Sequence, residues 1–168
     1  SVSKTFTAVS ILQLKEKGKI DIDKPVKRYI TEFPYDDITI RHLLSHTSGL
    51  PDYYFYDKTY DKEPLRIYTN KDILQDLNKF KFPLSFKPGE KWDYANINYC
   101  LLAEVVEKVS GQKFQDYLQK NIFSRAKMFD TYLLKEYPQR QIDTNRVQNH
   151  KLIRLYSEIP VDIENNNF

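Results

Sequence analysis

Two stretches with apolar residues at helical spacing limit what this chain can become. From Asn96 to Val109, Leu101, Leu102, Val105, Val106 and Val109 fall on one side of a helix, and Ser110-Gly111 ends it. The opening stretch, Ser1 to Lys17, carries Val2, Phe6, Val9, Leu12 and Leu14 at roughly the same period and closes on Gly18. Shorter helices fill in around them. Thr39 reads as an N-cap for a helix through His46, closed by Thr47-Ser48-Gly49-Leu50-Pro51. Asn70 caps a helix to about Lys79, and Phe114 to Phe123 makes another. Pro25 and Pro34 break the segment from Asp21 to Pro34, and Pro83, Pro88 and Gly89 force turns between Phe82 and Glu90. Pro51 to Tyr68 has no clear period and reads as a long surface loop. After Asp130 the pattern weakens into short strands or loops, ending in the polar tail Asn165-Asn166-Asn167. With no internal repeat and no linker, the expectation is one mostly helical domain over residues 1–168.

Charge and composition exclude several roles. The net charge is +3, from 26 basic and 23 acidic residues that alternate along the chain, so nucleic acid has no electrostatic footprint to meet. No apolar stretch approaches the roughly 20 residues of a membrane span. Cys100 is the single cysteine, which forbids an internal disulfide, and its place in Tyr99-Cys100-Leu101-Leu102-Ala103 marks it as a small hydrophobe. Aromatics reach 14% of the chain, and Tyr53-Tyr54-Phe55-Tyr56 with Tyr60 could rim a cleft or pack on itself.

The chemistry-bearing pattern is Ser1-Val2-Ser3-Lys4, an S-x-x-K in which residues i and i+3 share a helix face and the amine can reach the hydroxyl. A serine hydroxyl needs such a neighbour before it becomes a nucleophile. Spacing alone is weak, because Ser110-Gly111-Gln112-Lys113 and Ser124-Arg125-Ala126-Lys127 fit it too. Ser110 sits at a helix end beside a glycine and Ser124 in a polar turn, whereas Ser1 opens a long amphipathic helix. Tyr94-Ala95-Asn96 supplies a second pattern, Y-x-N, in which Tyr can move a proton and Asn can orient a carbonyl. Its decoy, Tyr68-Thr69-Asn70, leads straight into a helix.

The block Phe86 to Gly111, with Lys87-Pro88-Gly89-Glu90-Lys91-Trp92-Asp93-Tyr94-Ala95-Asn96-Ile97-Asn98-Tyr99, resembles one found in class C-type serine β-lactamases and their esterase and peptidase relatives. Ile40-Arg41-His42-Leu43-Leu44-Ser45-His46-Thr47-Ser48-Gly49-Leu50-Pro51 resembles another, and Ser1 precedes both in the family's order. The resemblance implies a β-lactamase/transpeptidase-like α+β fold, of which this chain covers the nucleophile helix and the all-α region. It implies an acyl-enzyme hydrolase acting on an amide, ester or β-lactam carbonyl of a small-molecule or peptide-like substrate. Ser1 would be the nucleophile, Lys4 and Tyr94 the acid/base pair, and Asn96 a substrate-orienting residue, with no cofactor and no metal. It also implies a periplasmic, secreted or envelope-associated protein. The alternative is a non-catalytic, penicillin-binding-protein-like scaffold that binds peptidoglycan or a partner.

Departures from the family pattern set further expectations. No K-x-G or H-x-G stands on a strand, since Lys87-Pro88-Gly89 is a turn, and the flanking sheet strands are missing. The expectation is a partial domain, a fragment of a larger enzyme, weakly active or inactive by itself. Phe123-Ser124-Arg125-Ala126-Lys127-Met128 lacks the Pro and Gly of the relatives' F-x-P-L-G-M-like turn, so a locally different turn is expected. His42 and His46 have the i, i+4 spacing of metal-binding histidines but lack the Glu of H-E-x-x-H, and the resemblance makes them structural.

Overall fold

Among the described residues, five helices carry the fold: α1 (Val2–Glu16), α2 (Ile40–Leu44), α3 (Asn70–Phe80), α4 (Ile97–Ser110) and α5 (Phe114–Leu118). A single 3₁₀ turn, Val26–Arg28, lies between the first two, and a π-helical turn, Gln119–Phe123, extends the last. The structure is a computed structural model that describes residues 1–52, 69–131, 133, 150–152 and 158–160. It forms two units, residues 1–133 and 134–168. In the second, the described residues are two antiparallel strands, β1 (His150–Leu152) and β2 (Glu158–Pro160), with Lys151 opposite Ile159. Among the described residues these are the only strands, so the helical character expected from sequence holds. The aromatic cluster Tyr53 to Tyr60, the Tyr68 of the second Y-x-N match and the tail Asn165–Asn167 lie outside the described residues.

Helix α4 is the centre of the first unit. It packs against α1, α2, α3 and α5, and Ile97, Leu101, Leu102, Val105 and Val106 are wholly buried. Each such side chain contributes about 1.5–3 kcal/mol of transfer free energy. Gly111 ends the helix at φ 70°, in the left-handed region that a side chain resists. Ile20, Ile22, Val26, Ile30, Phe33 and Ile38, from the connection between α1 and α2, complete the same core.

Helix α1 corrects the face read from its apolar residues. The buried stripe is Thr7, Ser10, Ile11 and Leu14, while Val2, Val9 and Leu12 stay exposed. The physical reason lies in the two hydroxyls. Ser10 Oγ donates to the Phe6 carbonyl at 2.8 Å and Thr7 Oγ1 to the Ser3 carbonyl at 3.1 Å, so neither faces the core unsatisfied. Helix α1 packs against α4. Gly18 closes α1 as expected, at φ 68°.

Other boundaries shift by a residue or two. Thr39 caps α2, accepting from the His42 N–H at 3.2 Å while His42 Nδ1 accepts from the Thr39 N–H at 3.3 Å. The helix stops at Leu44 rather than His46, because His46 turns into the left-handed region at φ 57°. Thr69, not Asn70, caps α3, since a reciprocal pair with Asp72 satisfies both first-turn donors. The turn after Phe123 is made with Lys127 at φ 57°, where the relatives' pattern places Gly. A non-glycine residue thus holds the left-handed position.

Candidate active site

The site forms where three chain segments meet: the start of α1, the loop after α2 and the extended stretch before α4. Backbone hydrogen bonds join the last two. Ser85 N–H donates to the Gly49 carbonyl at 2.8 Å, Gly89 N–H to Thr47 at 2.8 Å and Asp93 N–H to His46 at 2.9 Å. The approach is close enough to require glycine at position 49. Its φ is 75°, and a Cβ there would lie 2.1 Å from the Phe86 carbonyl oxygen. The two sequence blocks are therefore one structural piece, and it delivers Tyr94 to the start of α1.

Ser1 occupies the N-cap of α1 but makes no side-chain cap bond. Its hydroxyl lies 2.8 Å from the Tyr94 hydroxyl and accepts from Lys4 Nζ at 3.4 Å. Lys4 Nζ also donates to Asn96 Oδ1 at 2.7 Å and stands 5.0 Å above the Tyr94 ring centroid. All four residues singled out in the sequence thus come together. The decoys do not join them: Ser110 Oγ accepts from the Gln112 N–H at 3.2 Å, and Ser124 lies exposed at the end of the π turn.

The charge environment favours an ionisable phenol. Lys4 first, and then the Ser1 hydroxyl, hold Tyr94 below the usual phenol range, with burial and the Asp52 charge opposing them. Beneath the phenol lies His46, buried, its ring centroid 4.5 Å from that of Tyr94 and 5.2 Å from that of Tyr99. His46 Nδ1 accepts the Ala95 N–H at 3.3 Å and lies 3.2 Å from Asn98 Nδ2. Asn98 Oδ1 in turn accepts from Ser48 Oγ at 2.6 Å. Desolvation, followed by the nearby Lys4 charge, holds the His46 imidazolium form below its usual range, which suits a ring whose Nδ1 must accept.

Sequence reading missed this underlay and also Asp52. The Asp52 carboxylate accepts from Asn96 Nδ2 at 3.0 Å and from the Ile97 N–H at 3.1 Å. Asn96 stands where α4 begins but makes no side-chain cap bond, which only the folded chain reveals. The two histidines of the i, i+4 pair serve different partners, His42 the Thr39 N–H and His46 the Ala95 N–H. Among the described residues no three His, Cys, Asp or Glu side chains group as metal ligands. Cys100 packs beside the core, and burial lifts its thiol to about 11.

A family model described as Beta-lactamase matches residues 1–158. Penicillin-binding protein 4* of Bacillus subtilis (strain 168) is 37% identical over 175 aligned residues, which cover 100% of this chain and 38% of that protein. The crystal structure of a penicillin-binding protein from Bacillus halodurans superposes with a TM-score of 0.65 at 38% identity, over 78% of this chain and 44% of that one. A D-stereospecific amidohydrolase from Streptomyces sp. superposes at 0.66 with 31% identity, over 77% of this chain and 42% of that one. The chain thus spans about two fifths of the length of these relatives.

Proposed function

The chain belongs to the beta-lactamase family, and we propose that it carries the nucleophile half of a serine hydrolase that works through an acyl-enzyme. The observation that carries this is the Ser1 hydroxyl. It stands at a helix N-cap yet spends its hydrogen bonds on Tyr94 and Lys4 instead of on the helix.

In the proposed reaction Ser1 Oγ attacks the carbonyl carbon of an amide, ester or β-lactam. Its proton passes to Tyr94, the nearer neighbour, whose phenolate form the Lys4 charge favours. As the C–N or C–O bond breaks, the phenol returns that proton to the leaving atom. Water then releases the acyl group by the same path in reverse. Lys4 holds charge and geometry between Ser1 and Asn96 and shares the proton path with Tyr94, and Asn96 orients the substrate carbonyl. A small molecule or peptide-like amide is the substrate class, in keeping with the amidohydrolase and penicillin-binding names of the relatives. An envelope-associated or secreted location belongs to the same proposal.

Hydrolysis of nitrocefin or p-nitrophenyl acetate by the full-length protein tests it. Turnover that falls to the uncatalysed level in Ser1→Ala is expected. Turnover unchanged by that substitution would move the nucleophile elsewhere, and a folded protein with no turnover would favour the non-catalytic scaffold.

A further inference from the structure

An asparagine amide has a donor end and an acceptor end of nearly equal size, and turning it over exchanges them. At Asn96 that choice has opposite consequences. With Oδ1 toward Lys4 the ammonium finds an acceptor at 2.7 Å, whereas with the NH2 group there two donors would face each other. Lys4, an ammonium that only donates, favours this orientation from its own side. The other end meets Asp52.

We infer that Asp52 is a positioning residue: by accepting Asn96 Nδ2 it fixes which end of the Asn96 amide faces Lys4. An ionised carboxylate only accepts, so it is bound to select the donor end. Oδ2 takes Nδ2 at 3.0 Å while Oδ1 takes the Ile97 N–H at 3.1 Å. That second bond anchors the carboxylate on a backbone donor of the first turn of α4, which has no intrahelical partner and which Asn96 leaves uncapped. The carboxylate is held by a rigid helix and in turn holds the amide. A chain of fixed polarity results, running from the α4 backbone through Asp52 and Asn96 to Lys4 and Ser1. The Asp52 charge also reaches the Tyr94 phenol, where it opposes ionisation.

Substitutions at both ends separate positioning from simple capping. In Asp52→Asn the new amide can still accept the Ile97 N–H, but its NH2 then confronts the Asn96 NH2. Asn96 then either turns over and presents donors to Lys4 or keeps two NH2 groups opposed, and either way a hydrogen bond of the chain is lost. In Asn96→Asp two carboxylates confront each other, and Asp52→Asn added to it restores a donor to one side while leaving Lys4 an acceptor. The effect of Asp52→Asn should therefore change sign with the residue at position 96.

The kinetic consequence rests on the acyl-transfer function proposed above. In the full-length protein, kcat/KM for p-nitrophenyl acetate should fall about tenfold in Asp52→Asn, the scale at which supporting hydrogen bonds act. Placed in the Asn96→Asp background, the same change should raise it. A loss of similar size in both backgrounds, or none in either, overturns the inference. If Asp52→Asn alone does not fold, the comparison of Asn96→Asp with the double variant reads the same sign. A readout free of turnover keeps the two hypotheses apart. In Ser1→Ala protein the Asn96 side-chain amide proton should resonate downfield by NMR and move upfield in Asp52→Asn, and a proton that does not move overturns the pairing whatever Ser1 does.

Discussion

At Tyr94 two neighbours act in one direction: hydrogen bonding by Lys4 and then by the Ser1 hydroxyl favours the phenolate, and holds the group below its ordinary value of 10.0. If Tyr94 accepts the Ser1 proton, the reactive form is the ionised one, so kcat/KM should rise with pH through a midpoint below 10. Tyr94→Phe should lower kcat/KM by about 10²–10⁴-fold, the range of general acid–base catalysis, and remove that limb. A pH–rate profile with p-nitrophenyl acetate checks both; an unchanged limb in the variant would assign the proton to another group. Ser1, Lys4, Tyr94 and Asn96 were legible in sequence because spacing on one helix and order along the chain are local properties. His46 and Asp52 were less so. Their roles arise from stacking and hydrogen bonds between segments about 44 to 49 residues apart, and no periodicity encodes those.

Among the elements, two left-handed positions differ in what they tolerate. At Gly49 a side chain would collide with the Phe86 carbonyl, so Gly49→Ala should separate the loop after α2 from the Tyr94 stretch. Urea unfolding should then show a loss of more than about 1–2 kcal/mol, the cost of the left-handed backbone alone. At Lys127 the opposite holds: φ is 57° for a residue with a Cβ, and Lys127→Gly should gain roughly 1 kcal/mol by relieving it. Equal and opposite failure of these signs would mean that neither turn is set by backbone strain. Sequence reading placed the helices well and their faces less well. For α1 the spacing of Val2, Val9 and Leu12 did not show the buried stripe, since Ser10 and Thr7 are bonded to their own backbone and lie buried. For α2 it ran on to His46, where the need to place the imidazole under Tyr94 turns the chain out of the helix.

For the first unit as a whole, pH dependence follows from its two histidines. Burial is the main cause that holds both His42 and His46 below their ordinary value of 6.5. The unfolded chain then binds protons more readily than the folded one. Their contribution to stability is complete above about 6.5 and is lost as pH falls through the lowered folded values. The urea midpoint should drop between pH 7 and pH 5, and His42→Gln should shrink the drop; a flat midpoint would show that neither ring is held neutral. The helical architecture was readable from sequence because α4 carries its apolar residues at helical spacing. The loop joinery was not, since it depends on carbonyls that only the folded chain brings near Ser85, Gly89 and Asp93.

In the proposed reaction Tyr94 and Lys4 prime Ser1 as the nucleophile. Incubating the full-length protein with a fluorescent penicillin or a fluorophosphonate, then mapping the adduct by peptide mass spectrometry, identifies the nucleophile. One adduct is expected, on Ser1, absent in Ser1→Ala and slower to form in Tyr94→Phe. An adduct on another residue, or none from protein shown to be folded, would contradict it.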